Sequence, residues 1–264
     1  MTQHVPRRRT RRFVTIATLT VAFGIAGILA MPTTTRQGVD FTVSVRQLPL
    51  YLKALSFVDR HCQYRHLARQ VTVGLSSDRE RVLRLFEWTR QQVRPTPPGF
   101  PIVDDHILHI IIRGYGEPDQ MADVFTTLAT YAGIPAFWEA VQRDEGPGRL
   151  VFSFAKVDGR WAVFDVAHGV VFTDPHGRFL DVQDLLTHPE FVEASVGTRA
   201  PHGIPYQQYL QQLRPLEVAP ILRAQKQMPW PRLLYEVQLR LHLIEDAEAR
   251  QRHTQPSLMT GAKP

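Results

Sequence analysis

The sequence predicts an α+β fold in which a central helix packs on an antiparallel sheet. Apolar residues recur at helical spacing as far as Ala132, and beyond Gly133 the apolar period changes to that of extended strands. Asp158-Gly159 separates two of these strand-like runs and predicts a tight hairpin turn. Because helices precede strands rather than alternating with them, the pattern is typical of an α+β domain.

An apolar segment near the amino terminus predicts a transmembrane helix. Phe13 to Met31 contains no charged residue, and a helix of this length rises roughly 28 Å, close to the ~30 Å hydrocarbon core of a bilayer. The arginines before it should stay cytoplasmic and direct the rest of the chain outward. A cleaved signal peptide ending near Ala30 is the alternative, because Thr, Ala and Gly make the segment only moderately apolar.

The net charge of +6 does not indicate a nucleic-acid partner. Five arginines between Arg7 and Arg12 supply five of these charges, no acidic residue lies before Phe13, and subtracting the five leaves +1. A nucleic-acid-binding domain would instead carry a basic surface of its own. The single cysteine, Cys62, excludes an internal disulfide and a zinc site built on several thiolates.

Between the apolar segment and the central helix, the sequence predicts a tether and two helices. Residues 32–50 form the tether, which is rich in threonine and should be extended. A helix is expected around Leu50 to Asp59. Ser77 and Glu80 form a capping box at the start of a second helix, which should end near Gln92, before a proline-rich loop.

The central helix is expected to begin at Pro118. Proline suits the first helical position, because its missing N–H costs nothing there. A wide apolar stripe places this helix in the core, and Gly133 fits the residue just past its end. Five strands should follow, over Ala136–Val141, Leu150–Val157, Trp161–Val166, Val170–Thr173 and Phe179–Val182.

These elements predict an organisation in six parts. A basic segment (1–12) and the transmembrane helix (13–31) are followed by the tether (32–50) and the α+β domain (51–195). A C-terminal helical extension (196–250) contains a helix near Arg232 to Ala249, and a polar tail (251–264) should be disordered.

Four short motifs occur in a characteristic order along the domain. They are Phe86-Glu87-Trp88, Arg113-Gly114-Tyr115-Gly116, Gly133-Ile134-Pro135-Ala136, and the hairpin Val157-Asp158-Gly159-Arg160-Trp161 leading to Phe164-Asp165. In this order and spacing, from about Arg79 to Asp184, the chain resembles the transglutaminase-like family. The resemblance implies the papain-like cysteine fold that this family shares.

The resemblance also implies three catalytic positions. In the family, a cysteine at the start of the central helix is the nucleophile, a histidine on the first hairpin strand takes its proton, and an aspartate on the second strand orients that histidine. In this sequence the positions fall on Pro118, Leu150 (or Val151 after a one-residue shift) and Asp165. Because only Asp165 matches, the sequence predicts a degenerate member that cannot perform thiol acyl transfer at this site.

Other residues offer alternative chemistry. Cys62 lies far upstream of the central helix and is interpreted as a free structural cysteine. Glu117 and Asp119 flank the nucleophile position, where the helix dipole favours carboxylates in any case. A carboxylate pair acting in a hydrolase of another type is the alternative.

A polar cluster precedes the glycine turn and contains Asp104, Asp105, His106 and His109. The simplest interpretation is a polar loop whose residues hydrogen-bond locally. Ligand binding in the groove, or coordination of a divalent metal by carboxylates and imidazoles, are the alternatives. The prediction from the sequence is that neither a metal nor a cofactor is required.

The sequence as a whole predicts a single-pass membrane protein whose main domain is a pseudoenzyme outside the cytoplasm, periplasmic in a bacterium with two membranes. It would hold a peptide, a glycan or an envelope protein. The alternative is an active amidase, acyltransferase or hydrolase that uses Glu117 and Asp119, or Asp105 and His106. Candidate groove residues are Asp105, His106, His109, Tyr115, Glu117, Asp119, Gln120 and Asp165.

Overall fold

A computed structural model of the protein describes residues 7–104, 106–143, 148–213, 215–216, 218–241 and 243. The predicted fold class is confirmed: a central helix packs on an antiparallel sheet, with one apolar helix before the domain and further helices after the sheet.

The first helix, α1 (Arg7–Ala30), contains the predicted apolar segment. Among the described helices it is the one long and apolar enough to cross a membrane, over Phe13–Ala30. None of that stretch is buried against the rest of the protein. Length and composition support a membrane span, and a signal sequence would share both properties.

The predicted tether is extended, but it is paired rather than free. Strands β1 (Pro32–Val39) and β2 (Thr42–Pro49) form an antiparallel hairpin around Asp40-Phe41. The hairpin is hydrogen-bonded to the domain. The backbone N–H of Asp40 donates to the carbonyl of Ile102 at 2.9 Å, and the Asp40 carboxylate accepts from the backbone N–H of Ile102. This pairing was not predicted from the sequence, because β1 is mostly polar and lacks the apolar alternation of a buried strand.

Two helices follow the hairpin. The first, α2 (Leu50–Val71), continues well beyond the predicted end at Asp59. The second, α3 (Asp78–Gln92), begins with the predicted capping box, in which the N–H of Glu80 donates to Ser77 Oγ and the N–H of Ser77 donates to the Glu80 carboxylate, each at 3.2 Å.

Short elements lead from α3 to the central helix. They are β3 (Arg94–Pro95), β4 (Val103–Asp104), α4 (Ile107–Arg113) and β5 (Tyr115–Gly116). Strand β4 pairs with β1, and β3 pairs with β5. Gly114 ends α4 with φ +77°, a left-handed conformation that glycine adopts without steric cost.

The central helix, α5 (Pro118–Tyr131), is buried along most of its length. Pro118 is its first residue, as predicted. Side chains from α2, α3 and α4 pack on α5 together with one face of the sheet, and form the first hydrophobic core. This core includes Leu85, Phe86, Phe125, Leu128, Ala155 and Phe164.

The sheet has four antiparallel strands in sequence order: β6 (Ala136–Gln142), β7 (Arg149–Val157), β8 (Arg160–Asp165) and β9 (Val170–Val171). Asp158 and Gly159 form the predicted turn, with φ of +51° and +80°. The predicted strand Phe179–Val182 is wrong, because Phe179 makes only an isolated bridge with Thr173 and a helix begins at Val182.

The second face of the sheet packs against the C-terminal helices α6 (Val182–Thr187), α7 (Pro189–Val196) and α8 (Tyr206–Leu210). This second core contains Leu150, Phe152, Phe154, Phe172, Tyr206 and Tyr209. The last described helix is α9 (Pro229–Arg240), which begins earlier than the predicted Arg232. Residues 244–249 of that predicted helix lie outside the described residues.

Candidate functional site

The three positions assigned by the resemblance lie toward one end of the sheet, with Leu150 and Asp165 on the face of the second core and Pro118 on α5, which packs on the other face. In the antiparallel order, β6 and β8 end where β7 begins. The amino terminus of α5 reaches the same end, because the Asp119 carboxylate lies 3.7 Å from the Arg149 guanidinium at the start of β7. The start of α5, the first residues of β7 and the last residue of β8 therefore form the candidate site.

At the nucleophile position, Pro118 starts α5 and the surrounding polar groups hold the backbone. Both ends of the Gln120 side-chain amide are hydrogen-bonded. The amide oxygen accepts from the backbone N–H of Glu117 at 3.1 Å and from the Arg113 guanidinium. The amide nitrogen donates to the carbonyl of Val103 at 2.6 Å. Gln120 therefore joins α5 to β4 and, through β4, to the β1–β2 hairpin.

Gly116 allows this close approach. A side chain there would bring a Cβ within 2.9 Å of Gln120 Oε1 and 3.1 Å of Gln120 Cβ. Tyr115 beside it stacks on Phe100 with ring centroids 5.4 Å apart, and Arg113 lies 5.0 Å over the Tyr115 ring. Tyr115 and Gln120 thus pack within the structure around the start of α5.

The predicted polar cluster lies on α4 and its approach. His106 precedes α4, and its ring lies 5.9 Å from the ring of His109; both side chains are exposed. Asp105 lies outside the described residues. Within the part of the chain that the structure describes, no three His, Cys, Asp or Glu side chains gather at a distance suited to a metal ion.

At the histidine position, Leu150 is 1% exposed and belongs to the second core. Val151, the alternative position, is also buried. Adjacent residues of a strand point to opposite faces, so neither position leaves an open space for an imidazole. This part of the site is filled by apolar packing.

Asp165 is fully buried and hydrogen-bonded, and it has a histidine partner that was not predicted from the sequence. His168 Nδ1 lies 2.9 Å from Asp165 Oδ2, and the backbone N–H of His168 donates to Oδ1 at 3.0 Å. The Tyr206 hydroxyl donates to Oδ2 at 2.9 Å. The signal in the sequence is the Asp-x-x-His spacing across the tight turn between β8 and β9.

This arrangement changes the titration of two side chains. The hydrogen bond with Asp165 raises the pKa of His168, because the carboxylate stabilises the imidazolium. Burial, followed by the neighbouring Asp165 charge, raises the pKa of Tyr206 far above its usual value. Tyr206 is therefore a hydrogen-bond donor to Asp165 and not a nucleophile.

A second buried carboxylate, Asp123, lies one turn beyond Asp119 on α5. It is 7% exposed, accepts a hydrogen bond from the Trp138 indole N–H, and forms an ion pair with Arg223 at 2.8 Å. Arg223 also lies 5.5 Å over the Trp138 ring. Burial raises the pKa of Asp123 to about 6, although Arg223 and Trp138 oppose the shift. Beyond the helical spacing of Asp119 and Asp123, no signal in the sequence indicates this cluster.

Cys62 lies near the opposite end of α5. It is exposed on α2, next to His61, whose Nδ1 is 2.9 Å from the hydroxyl of Tyr131. Tyr131 is the last residue of α5, and the rise along that helix places it roughly 20 Å from Pro118. Cys62 therefore cannot supply a thiol at the nucleophile position of this structure.

A pocket of about 630 Å³ also lies away from the candidate site. It is formed where α2 ends and α3 begins, and its lining combines apolar side chains such as Val71 and Trp88 with charged ones such as Glu80 and Glu87. Arg81 of α3 donates to the carbonyl of Ala132 just past the end of α5. The pocket therefore lies toward the carboxyl end of α5.

Comparison with known proteins agrees with the fold. Residues 65–166 match the model of the transglutaminase-like superfamily. Two solved structures are similar to part of the chain. One is a proposed cysteine protease from Cytophaga hutchinsonii, with 18% identity and a TM-score of 0.36 over 44% of this chain and 40% of that chain. The other is a proposed protease from Parabacteroides distasonis, with 16% identity and a TM-score of 0.34 over 50% of this chain and 35% of that chain. This chain thus matches less than half the length of either protein. No curated protein matches it.

We predict that Asp123→Asn removes a pH dependence of stability. The pKa of Asp123 is about 6 in the fold against an ordinary value of 3.8, so between these values the folded state binds more protons at this site. The contribution of Asp123 to the free energy of unfolding therefore falls as pH rises through this interval. Across this interval the contribution of Asp123 to the free energy of unfolding changes by at most about 3 kcal/mol.

Urea unfolding at pH 4 and pH 7 measures this effect. The free energy of unfolding of Asp123→Asn, relative to wild type, should increase from pH 4 to pH 7. Asp158→Asn, in the exposed hairpin turn, controls for the loss of one carboxylate. A constant difference between Asp123→Asn and wild type would show that Asp123 titrates alike in the folded and unfolded chains.

We also predict that Tyr206→Phe destabilises the fold by about 1–3 kcal/mol, because it leaves the buried Asp165 carboxylate without one of its donors. Tyr209→Phe is the matched control: Tyr209 is equally buried on α8, and its hydroxyl donates to the Pro201 carbonyl at the longer distance of 3.4 Å. Urea unfolding should show the larger loss for Tyr206→Phe. Equal losses would contradict a special role of the hydroxyl bound to Asp165.

Proposed function

We propose that the protein is a catalytically inactive member of the transglutaminase-like superfamily, whose model residues 65–166 match, and that it acts as a membrane-anchored interaction module. The observation that carries the proposal is the pair of side chains at the nucleophile and base positions, Pro118 and Leu150. Neither can form or activate a thiolate, and acyl transfer requires both functions.

The packing of the site supports a scaffold rather than an open binding cleft. Leu150 is part of the second core, and the Asp119–Arg149 ion pair joins the first turn of α5 to β7. An enzyme site needs space beside its nucleophile for a substrate carbonyl. Here the corresponding positions are used for packing and for internal polar contacts.

Segments outside the transglutaminase-like domain contribute to these contacts. The membrane-proximal hairpin pairs through β1 with β4, whose Val103 carbonyl binds Gln120. From the C-terminal part of the chain, Tyr206 donates to Asp165 and Arg223 pairs with Asp123. The start of α5 is therefore where the amino-terminal and carboxy-terminal segments converge on the domain, which suits a structural role.

A hydrolase is the second candidate, favoured by the Asp165–His168 pair. His168 is 33% exposed at its side chain, while Asp165 is fully buried and orients its ring. In a hydrolase His168 would act as general base on a water molecule. The carboxylates proposed from the sequence are less suitable, since Asp119 is paired with Arg149 and accepts the N–H of Gln120.

We place the module on the outer side of a membrane, with α1 as a single-pass anchor and its arginines in the cytoplasm. The module would hold a peptide, a glycan or another protein of the cell envelope. Orientation follows from the positive charges before Phe13, and the extracytoplasmic position of the domain follows from that orientation.

Activity assays on the full chain in vesicles distinguish the candidates. We expect no amine incorporation into glutamine-containing peptides and no amide hydrolysis, and no effect of Cys62→Ser. An activity lost in Cys62→Ser would overturn the inactive assignment. Hydrolysis that survives Cys62→Ser but is lost in His168→Gln would establish the second candidate. His176→Gln, on a neighbouring exposed turn, is the control for histidine loss.

Cys62 also reports the orientation, because it is exposed and is the chain's single cysteine. A membrane-impermeant maleimide should label Cys62 in intact spheroplasts. In a Cys62→Ser background, Thr10→Cys should be labelled only after the membrane is permeabilised. The reverse pattern would contradict the proposed topology, and a labelled product lacking the amino-terminal segment would indicate cleavage.

A further inference from the structure

The helix α9 (Pro229–Arg240) carries its apolar side chains on the outside of the protein. A surface helix of a globular domain normally turns its apolar stripe toward the core. In α9 no residue is buried, and the less exposed side chains include Tyr235 and Leu239. The apolar stripe of α9 comprises Trp230, Leu233, Leu234, Val237 and, just past the helix, Leu241, which are between 45% and 74% exposed.

These five residues lie on one narrow face. At about 100° per residue, their directions fall within an arc of roughly 100° around the helix axis. Arg232 and Glu236 lie on another side, paired at 3.1 Å. An exposed stripe of this kind requires an apolar environment to cover it.

The position of α9 points to a lipid surface. The N–H of Leu50, the first residue of α2, donates to the carbonyl of Met31 at 2.8 Å, so α2 begins where α1 ends. Eleven residues further along α2, His61 contacts Tyr131, whose hydroxyl donates to the carbonyl of Gln227 at 2.9 Å. The segment before α9 is thus attached roughly 16 Å along α2 from the end of the apolar helix.

The composition of α9 also suits a membrane interface. A tryptophan and leucines occupy one face, and Arg232 and Arg240 lie outside the apolar stripe. Helices that lie in the plane of a membrane combine a tryptophan- and leucine-rich face with arginines that attract anionic headgroups. Between residues 218 and 241 the described residues carry four basic side chains, Arg223, Lys226, Arg232 and Arg240, and one acidic side chain, Glu236.

We propose that α9 lies in the surface of the membrane that α1 spans, with its apolar stripe in the headgroup and upper acyl region. This second attachment would hold the domain close to the bilayer instead of leaving it free on a single anchor. The inference rests on the proposed insertion of α1 and goes beyond it, because insertion of α1 alone does not require contact by α9.

Site-specific fluorescence in vesicles tests the proposal. The full chain, in a Cys62→Ser background, is reconstituted into vesicles of phosphatidylcholine and phosphatidylglycerol and labelled with an environment-sensitive fluorophore at Leu234→Cys. The matched control is Arg232→Cys, exposed on the opposite side of α9. The quencher is a lipid carrying a nitroxide near its headgroup.

We expect a blue-shifted emission at position 234 and quenching at least about twofold stronger than at position 232, because an interfacial helix buries only its apolar face. Equal quenching at both positions would overturn the proposal. A blue shift without lipid quenching would also overturn it, and its dependence on protein density would identify a second copy as the partner. Flotation of the protein with the vesicles reports α1 insertion separately, so failure of the anchor and failure of the α9 contact are distinguishable.

Discussion

The packing of α5 between the other helices and the sheet is the contact on which the rest of the structure depends. Phe125 and Leu128 are fully buried against Phe86 and Phe164, so the helix can hardly shift without disrupting the first core. A helix fixed in this way also fixes whatever stands at its amino terminus. The resemblance to the transglutaminase-like family implies that the nucleophile would stand at the amino terminus of this helix. In this protein Pro118 occupies it, and proline retains good helix-start geometry without any reactive group.

Two buried carboxylates, Asp165 and Asp123, are paired and hydrogen-bonded within the structure. Asp165 keeps its position but binds His168 from the adjacent turn and Tyr206 from the second core. Asp123 forms a separate cluster with Trp138 and Arg223. A buried charge is costly unless it is paired and hydrogen-bonded. Each of the two carboxylates therefore recruits a partner from the C-terminal part of the chain, which ties that part to the domain.

The apolar surfaces outside the domain have a common interpretation. Helix α1 exposes its apolar residues all round, as a membrane span would, whereas α9 exposes only one stripe. A span and an interfacial helix are the two forms in which a helix is compatible with lipid. Under this interpretation the hairpin β1–β2 and helix α2 lie between two points of membrane contact. The domain would then present its transglutaminase-like surface at a fixed height above the bilayer.

The sequence by itself determined the features that depend on local chemistry. The capping box at Ser77, the helix start at Pro118 and the turn at Asp158-Gly159 were all predicted correctly, because each is specified by a few adjacent residues. Apolar patterning likewise identified α1, α5 and the four strands of the sheet. The order of these elements was enough to predict the fold class.

Only the tertiary structure decided the contacts between distant segments. The pairing of the hairpin with β4, the donation by Tyr206 to Asp165 and the ion pair of Arg223 with Asp123 each join residues at least 40 positions apart. Periodicity and capping signals contain no information about such distances, since they describe neighbours along the chain. The sequence thus predicted which positions lack a catalytic group, and the folded chain determined that Leu150 packs in the second core and that Asp119 pairs with Arg149.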